Sequence, residues 1–136
     1  MKTLLKYTCL LFLTITVISC NNKKLSKTVT KFGEINVISP ASFKEKSKDQ
    51  TIIDIRTPRE FTVGHIEGAK NINFFDKSFL EQISKFDKNK PIFLYCRSGN
   101  RTASASKKIA NQGFKEVYDL QGGVMNWLKN NQQIIE

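Results

Sequence analysis

Cys96-Arg97-Ser98-Gly99-Asn100-Arg101 is the stretch of this chain whose residue types could do chemistry. A thiolate is the nucleophilic form of cysteine, and helix N-termini and neighbouring cations favour it. The flanking sequence supplies both. Pro91-Ile92-Phe93-Leu94-Tyr95 is an apolar run of strand length, and Thr102 to Asn111, rich in Ala and Lys and free of Gly and Pro, predicts a helix. A strand feeding a short loop that opens a helix puts Cys96 at the loop mouth. Backbone N–H groups and the helix dipole then point at whatever sits on the sulfur. Gly99 lets the loop turn successive N–H groups inward, and Asn100 suits the N-cap. Ser98 is placed to donate a hydrogen bond to charge on sulfur, and Arg97 to contact substrate. Arg101 either braces the loop or meets an anion. These residues alone describe a nucleophilic thiol in an anion cradle, equally suited to phosphate and to sulfur.

The elements that must position this loop follow from local signals. Ile35, Val37 and Ile38 form a first short strand, and Ser39-Pro40 caps a helix from Ala41 to Lys48. Thr51 to Arg56 has the apolar centre of a buried strand, with Asp54 and Arg56 near its C-terminal end. Thr57-Pro58-Arg59-Glu60 has the form of a capping box opening a helix through about Val63. Gly64 to Ala69 is a turn, and Lys70 to Phe74 another strand. Phe79, Leu80, Ile83 and Phe86 recur at helical spacing as a core-facing stripe. Gly113 fits a helix C-cap, and Phe114 to Leu120 is a strand. Gln121-Gly122-Gly123 is a tight turn, and Val124, Trp127 and Leu128 line a closing helix, with Trp127 in the core. Strand and helix alternate, which predicts an α/β fold: a mostly parallel five-stranded sheet with helices on both faces. Ligands of such sheets bind outside the carboxyl ends of the strands, where Arg56, Cys96 and the Gln121-Gly122-Gly123 turn converge. Asp54 and Arg56 are expected to brace this edge by hydrogen bonds rather than react, with Arg56 also within reach of Glu60.

The N-terminus reads as an address. Residues 1–19 have a basic start and an apolar run too short to cross a bilayer, which needs about 20 residues, so they fit a signal peptide. Val17-Ile18-Ser19-Cys20 resembles the lipobox of bacterial lipoproteins. That resemblance implies cleavage after Ser19 and a lipid anchor on Cys20 in the bacterial cell envelope, on the periplasmic face of a membrane, since several acyl chains hold a protein durably. Residues 20–34 are then the lipidated cysteine and a polar tether, and 35–136 a single domain. The remaining cysteines are Cys9, inside the signal segment, and Cys96, which processing leaves as the one free thiol. A single thiol and a single histidine, His65, exclude a structural disulfide and a multi-ligand metal centre, so no metal and no cofactor are expected. The net charge of +10 is spread over scattered lysines with no long basic run. It argues against nucleic-acid binding and suits a membrane surface or a small anionic substrate.

Four stretches carry a family resemblance: Asp54-Ile55-Arg56-Thr57-Pro58-Arg59-Glu60-Phe61; Gly64-His65-Ile66-Glu67-Gly68-Ala69-Lys70-Asn71-Ile72; Tyr95 to Arg101; and Leu120-Gln121-Gly122-Gly123 followed by Trp127. In order and spacing they resemble the rhodanese-like domain over roughly residues 35–131. The resemblance implies the three-layer rhodanese-like fold and a sulfurtransferase in which Cys96 alternates between thiol and persulfide. Arg97, Ser98, Gly99, Asn100 and Arg101 then bind substrate. The donor is a small anion such as thiosulfate, and the acceptor is cyanide or a small or protein thiol. It also places His65 in a turn away from the chemistry. Cys-X4-Arg resembles the six-residue loop of sulfur-transferring members, whereas related phosphatases carry Cys-X5-Arg. One residue fewer removes up to about 3.5 Å of chain, so the cradle fits a single sulfur atom rather than a phosphate. A membrane-anchored sulfur carrier or docking module with little turnover of its own is the competing expectation. Oligomeric state has no signature in the sequence.

Overall fold

The computed structural model describes residues 25–136. The expected signal segment 1–19 and the expected lipidation site Cys20 lie outside the described residues. In chain order the elements are β1 (Ser26–Val29), β2 (Glu34–Ile38), α1 (Pro40–Lys46), β3 (Thr51–Asp54), α2 (Pro58–Val63), β4 (Lys70–Asn71), α3 (Phe79–Ser84), β5 (Ile92–Tyr95), α4 (Asn100–Asn111), β6 (Glu116–Leu120) and α5 (Gly123–Lys129). The strands form one sheet in the order β1-β2-β6-β5-β3-β4. Among the described residues, every strand pairing in this sheet is parallel except β1 with β2.

The side-chain alternation of β5 decides the layers. Ile92, Leu94 and Cys96 face one way and pack with Ile53, Ile55, Phe79, Ile83, Ile109 and Phe114, beneath α3 and α4. Phe93 and Tyr95 face the other way and join Phe43, Ile52, Leu120, Val124 and Trp127, beneath α1 and α5. Successive strand residues point to opposite faces, so a strand apolar throughout must be covered on both sides. Phe43 meets Phe93 edge-on at 5.4 Å and Trp127 at 6.1 Å. Each fully buried side chain of this size contributes roughly 1.5–3 kcal/mol.

The local signals account for the starts of α1 and α2. Ser39 caps α1 by accepting from the Ser42 N–H, and Thr57 and Glu60 form a complete capping box at α2. The expected stripe is core, with Phe79 and Ile83 buried and Leu80 and Phe86 packed against them.

Three expectations are corrected. Among the described residues the sheet has six strands, not five, because Ser26–Val29, expected as polar tether, adds an antiparallel edge strand to β2. All four of its residues are exposed, so no apolar alternation marked it. The strand expected over residues 70–74 contains only Lys70–Asn71. Past Asn71 the backbone leaves the ladder, the Phe74 N–H donating to the Ile55 carbonyl. The last strand begins at Glu116 rather than Phe114, although Phe114 remains wholly buried in the core.

Candidate active site

Cys96 follows the last residue of β5 and continues its alternation, which carries the side chain inward to 1% exposure. The loop then turns back over it. Gly99 adopts φ +89°, a left-handed conformation that only glycine reaches cheaply, and its N–H donates to Cys96 Sγ at 3.1 Å. Gly99 is therefore the N-cap of α4, not Asn100, which is the first helical residue. The turn that aims the Gly99 N–H at sulfur needs a positive φ at the position just before the helix. The sulfur sits at the N-terminal end of a 12-residue helix, whose dipole favours negative charge there.

Thr102, unmarked by any motif in the sequence, joins the site from the first turn of α4. It is wholly buried. Its hydroxyl donates to the Gly99 carbonyl at 3.1 Å and lies 3.8 Å from Sγ. The available signal was a hydroxyl residue facing back on the loop from the first turn of the helix.

The loop is held from the far side by α5. The Val124 N–H donates to the Cys96 carbonyl at 2.9 Å and the Met125 N–H to the Arg97 carbonyl at 3.1 Å. Gly123, at φ +62°, permits this approach: a Cβ there would lie 2.4 Å from the Cys96 oxygen and 2.6 Å from the Arg97 carbonyl. The expected Gln121-Gly122-Gly123 turn thus fastens the cysteine loop from behind.

At the end of β3, the Asp54 carboxylate accepts from Arg56 Nε at 2.9 and 3.0 Å, from Nη2 at 2.6 Å and from the Arg56 backbone N–H at 2.9 Å. Both residues are buried. Arg56 Nη2 also donates to the Gly64 carbonyl at 2.7 Å. Asn71 Nδ2 donates to the Asp54 and Arg56 carbonyls at 3.0 and 2.8 Å, tying β4 to the same corner. Burial opposes the Arg56 charge, but the hydrogen bonds and charge of Asp54 outweigh it and raise its affinity for the proton. Burial, and next the Asp54 charge, push the Tyr95 hydroxyl well above the usual tyrosine range. Neutral Tyr95 accepts from the Ile66 N–H at 3.0 Å. Through their hydrogen bonds Asp54 and Arg56 are tied to the Gly64 carbonyl and to Asn71 at this edge.

Arg56 does not pair with Glu60. Glu60 instead takes the fork of Arg101, Nη1 to Oε2 at 2.8 Å and Nη2 to Oε1 at 2.7 Å. The buried Asp54 already occupies Arg56, leaving the loop arginine as the partner of the capping-box carboxylate. This pairing braces the loop through α2. The Arg101 charge is favoured first by the Glu60 hydrogen bonds and also by the nearby Cys96 sulfur.

The Arg101 hydrogen bonds, helped by those of Thr57 and opposed by burial, lower Glu60 from its ordinary 4.5 to about 2. A depressed carboxylate adds stability above its unfolded value and loses it as pH falls through the folded one. The side chain is 27% exposed, so screening holds the effect to about 1 kcal/mol. Urea unfolding near pH 5 and near pH 2 should therefore show wild type losing about 1 kcal/mol more than Glu60→Gln on acidification. Equal losses would mean that the ion pair adds nothing.

A buried thiol under an inward N–H, at the carboxyl edge of a parallel sheet, fits a nucleophile in an anion cradle. The rhodanese-like domain model matches residues 39–130. The chain belongs to the rhodanese-like domain family. Thiosulfate sulfurtransferase GlpE of Ectopseudomonas mendocina (strain ymp) is 37% identical over 96 residues, covering 70% of this chain and 86% of that protein. The tRNA uridine(34) hydroxylase of Pelagibacter ubique (strain HTCC1062) is also 37% identical, over 100 residues covering 70% of this chain but 33% of the hydroxylase. Among solved structures, a rhodanese-related protein from Thermoplasma volcanium superposes with a TM-score of 0.66 at 26% identity, over 73% of this chain and 96% of that one.

Within this rhodanese-like domain the expected site residues are brought to one edge. Cys96, Gly99 and Arg101 form the cradle and its brace, Asp54 and Arg56 the buried corner beside it. Arg97 is exposed beside the buried thiol. Ser98 is half-buried within the loop, and Asn100 is exposed at the first turn of α4. His65 stacks on Phe61 at 3.7 Å, and its Nδ1 lies 3.1 Å from the Phe61 carbonyl; its backbone pairs with Ile135.

Proposed function

We propose that the protein is a sulfurtransferase that moves sulfane sulfur from a donor such as thiosulfate to cyanide or a thiol through a persulfide on Cys96. The observation that carries the reading is the Gly99 N–H at 3.1 Å from a buried Sγ at the start of α4. Relatives named thiosulfate sulfurtransferase support it. The Cys96 thiolate attacks the outer sulfur of thiosulfate. A new S–S bond forms, the donor's S–S bond breaks, and sulfite leaves with its electron pair. The persulfide's outer sulfur then occupies the cradle, with Arg97, Ser98, Gly99, Asn100 and Arg101 around it. An acceptor nucleophile takes that sulfur and returns Cys96 as thiolate. We further propose cleavage after Ser19, lipidation of Cys20 and a position on the periplasmic face of a bacterial membrane, on the Val17-Ile18-Ser19-Cys20 pattern.

Thiosulfate treatment followed by mass spectrometry should add about 32 Da, one sulfur atom, to the peptide containing Cys96. Cyanide should remove it and release thiocyanate. Repeated turnover supports the enzyme. A single slow discharge that a protein acceptor accelerates supports a carrier. No adduct overturns both.

A further inference from the structure

The antiparallel β1 brings the start of the described chain back to the active-site edge. β2, β6 and β5 run parallel, so Ile38, Leu120 and Tyr95 end at one edge of the sheet. Ser26 pairs with Val37, near that edge, while Val29 pairs with Glu34 at the opposite one. Ser26 and Thr28 also wall one recess of about 260 Å³ together with Gly99, Gln121 and Gly122. The hairpin turn between β1 and β2, with Phe32 49% exposed, lies at the far edge.

Cys20 precedes Ser26 by six residues. Six residues span at most about 21 Å whatever path they take. Had the chain entered the sheet directly at β2, the same attachment point would have led to the far edge. Leu25 and Met125 are 56% and 54% exposed, and Arg97 is exposed. Leu25 adjoins Ser26, while Met125 and Arg97 are joined through their backbones. Apolar and cationic side chains together suit the boundary of an anionic bilayer.

We propose that the mouth of Cys96 works at the lipid surface and delivers its sulfur to a thiol held there. This rests on the reading of Cys20 as lipidated. A short tether raises the effective concentration of membrane-held acceptors at the mouth over equally reactive soluble ones. In the transfer, the acceptor thiolate bonds to the outer sulfur of the Cys96 persulfide. The Cys96 S–S bond breaks and its electron pair returns to Sγ, so a persulfide on the acceptor replaces the one on the protein.

The full-length, processed protein reconstituted in phosphatidylcholine–phosphatidylglycerol vesicles provides the test. In a Cys96→Ser background, which removes the sulfur chemistry from the measurement, Met125→Cys and Phe32→Cys are each labelled with a donor dye. Energy transfer to headgroup-labelled lipid should be at least about two-fold stronger from position 125. With Cys96 intact and loaded from thiosulfate, phosphatidylthioethanol in the vesicle should become persulfidated. Equal or reversed energy transfer overturns the proposal, as does discharge to 2-mercaptoethanol with the lipid thiol left unmodified. Mass spectrometry of the N-terminal peptide separates the causes: an unacylated Cys20 removes the anchoring reading and the proposal together, whereas failure of an acylated protein removes the proposal alone.

Discussion

Cys96→Ala is expected to reduce thiosulfate-dependent sulfur transfer to the uncatalysed background, a loss of at least about 1000-fold in kcat/KM. In the proposed mechanism the Cys96 persulfide splits one transfer into two displacements, and alanine has no atom to hold the sulfur. Only Sγ is removed from a small buried side chain, so the fold should survive at a cost of about 1 kcal/mol. Cys96→Ser should be equally inactive, since a hydroxyl keeps the Gly99 N–H satisfied but forms no persulfide. Thiocyanate release, measured beside the circular dichroism of each variant, separates chemistry from unfolding. Residual transfer above background in a folded Cys96→Ala protein would move the nucleophile elsewhere.

The second large effect is on stability. Asp54→Ala should cost 3–5 kcal/mol, by the usual penalty for removing one partner of a buried ion pair. The Arg56 guanidinium would be left at 6% exposure, without the carboxylate that accepts three of its side-chain hydrogen bonds and one from its backbone. A domain of this size has about 5–15 kcal/mol in total, so the loss is a large share of it. Asp54→Asn preserves the shape and part of the hydrogen bonding and should cost less, about 1–3 kcal/mol. Urea denaturation of both variants measures the difference. A cost below about 1 kcal/mol for Asp54→Ala would mean that Arg56 swings out to water once released. The same corner holds Gly64 and Asn71, so a folded variant should also show a loosened α2 and, through Glu60, a less firmly held Arg101.

Much of this could be read along the chain because its signals are local. Ser39-Pro40 and Thr57 to Glu60 satisfy helix amides within a few residues of themselves. The apolar run of residues 91–95 has to be covered on both faces. Cys96 has to follow it at the carboxyl edge, and Gly99 is the residue that can turn an N–H back onto the sulfur. The cysteine loop, the strand before it and the helix after it were therefore determined by sequence alone.

Tertiary structure decided the rest, because it depends on groups distant in the chain competing for the same partner. Arg56 and Arg101 could each have taken Glu60. Packing the corner of β3 buries Asp54 against Arg56, which leaves Glu60 to an arginine 41 residues away. Gly123 matters only because α5 docks its first turn on the Cys96 and Arg97 carbonyls, and Thr102 only because α4 lays its hydroxyl beside the sulfur. β1 has no buried face to announce it. Its place comes from the open edge of β2, whose unpaired backbone groups it satisfies, and with that pairing the direction from which the chain reaches the cysteine loop.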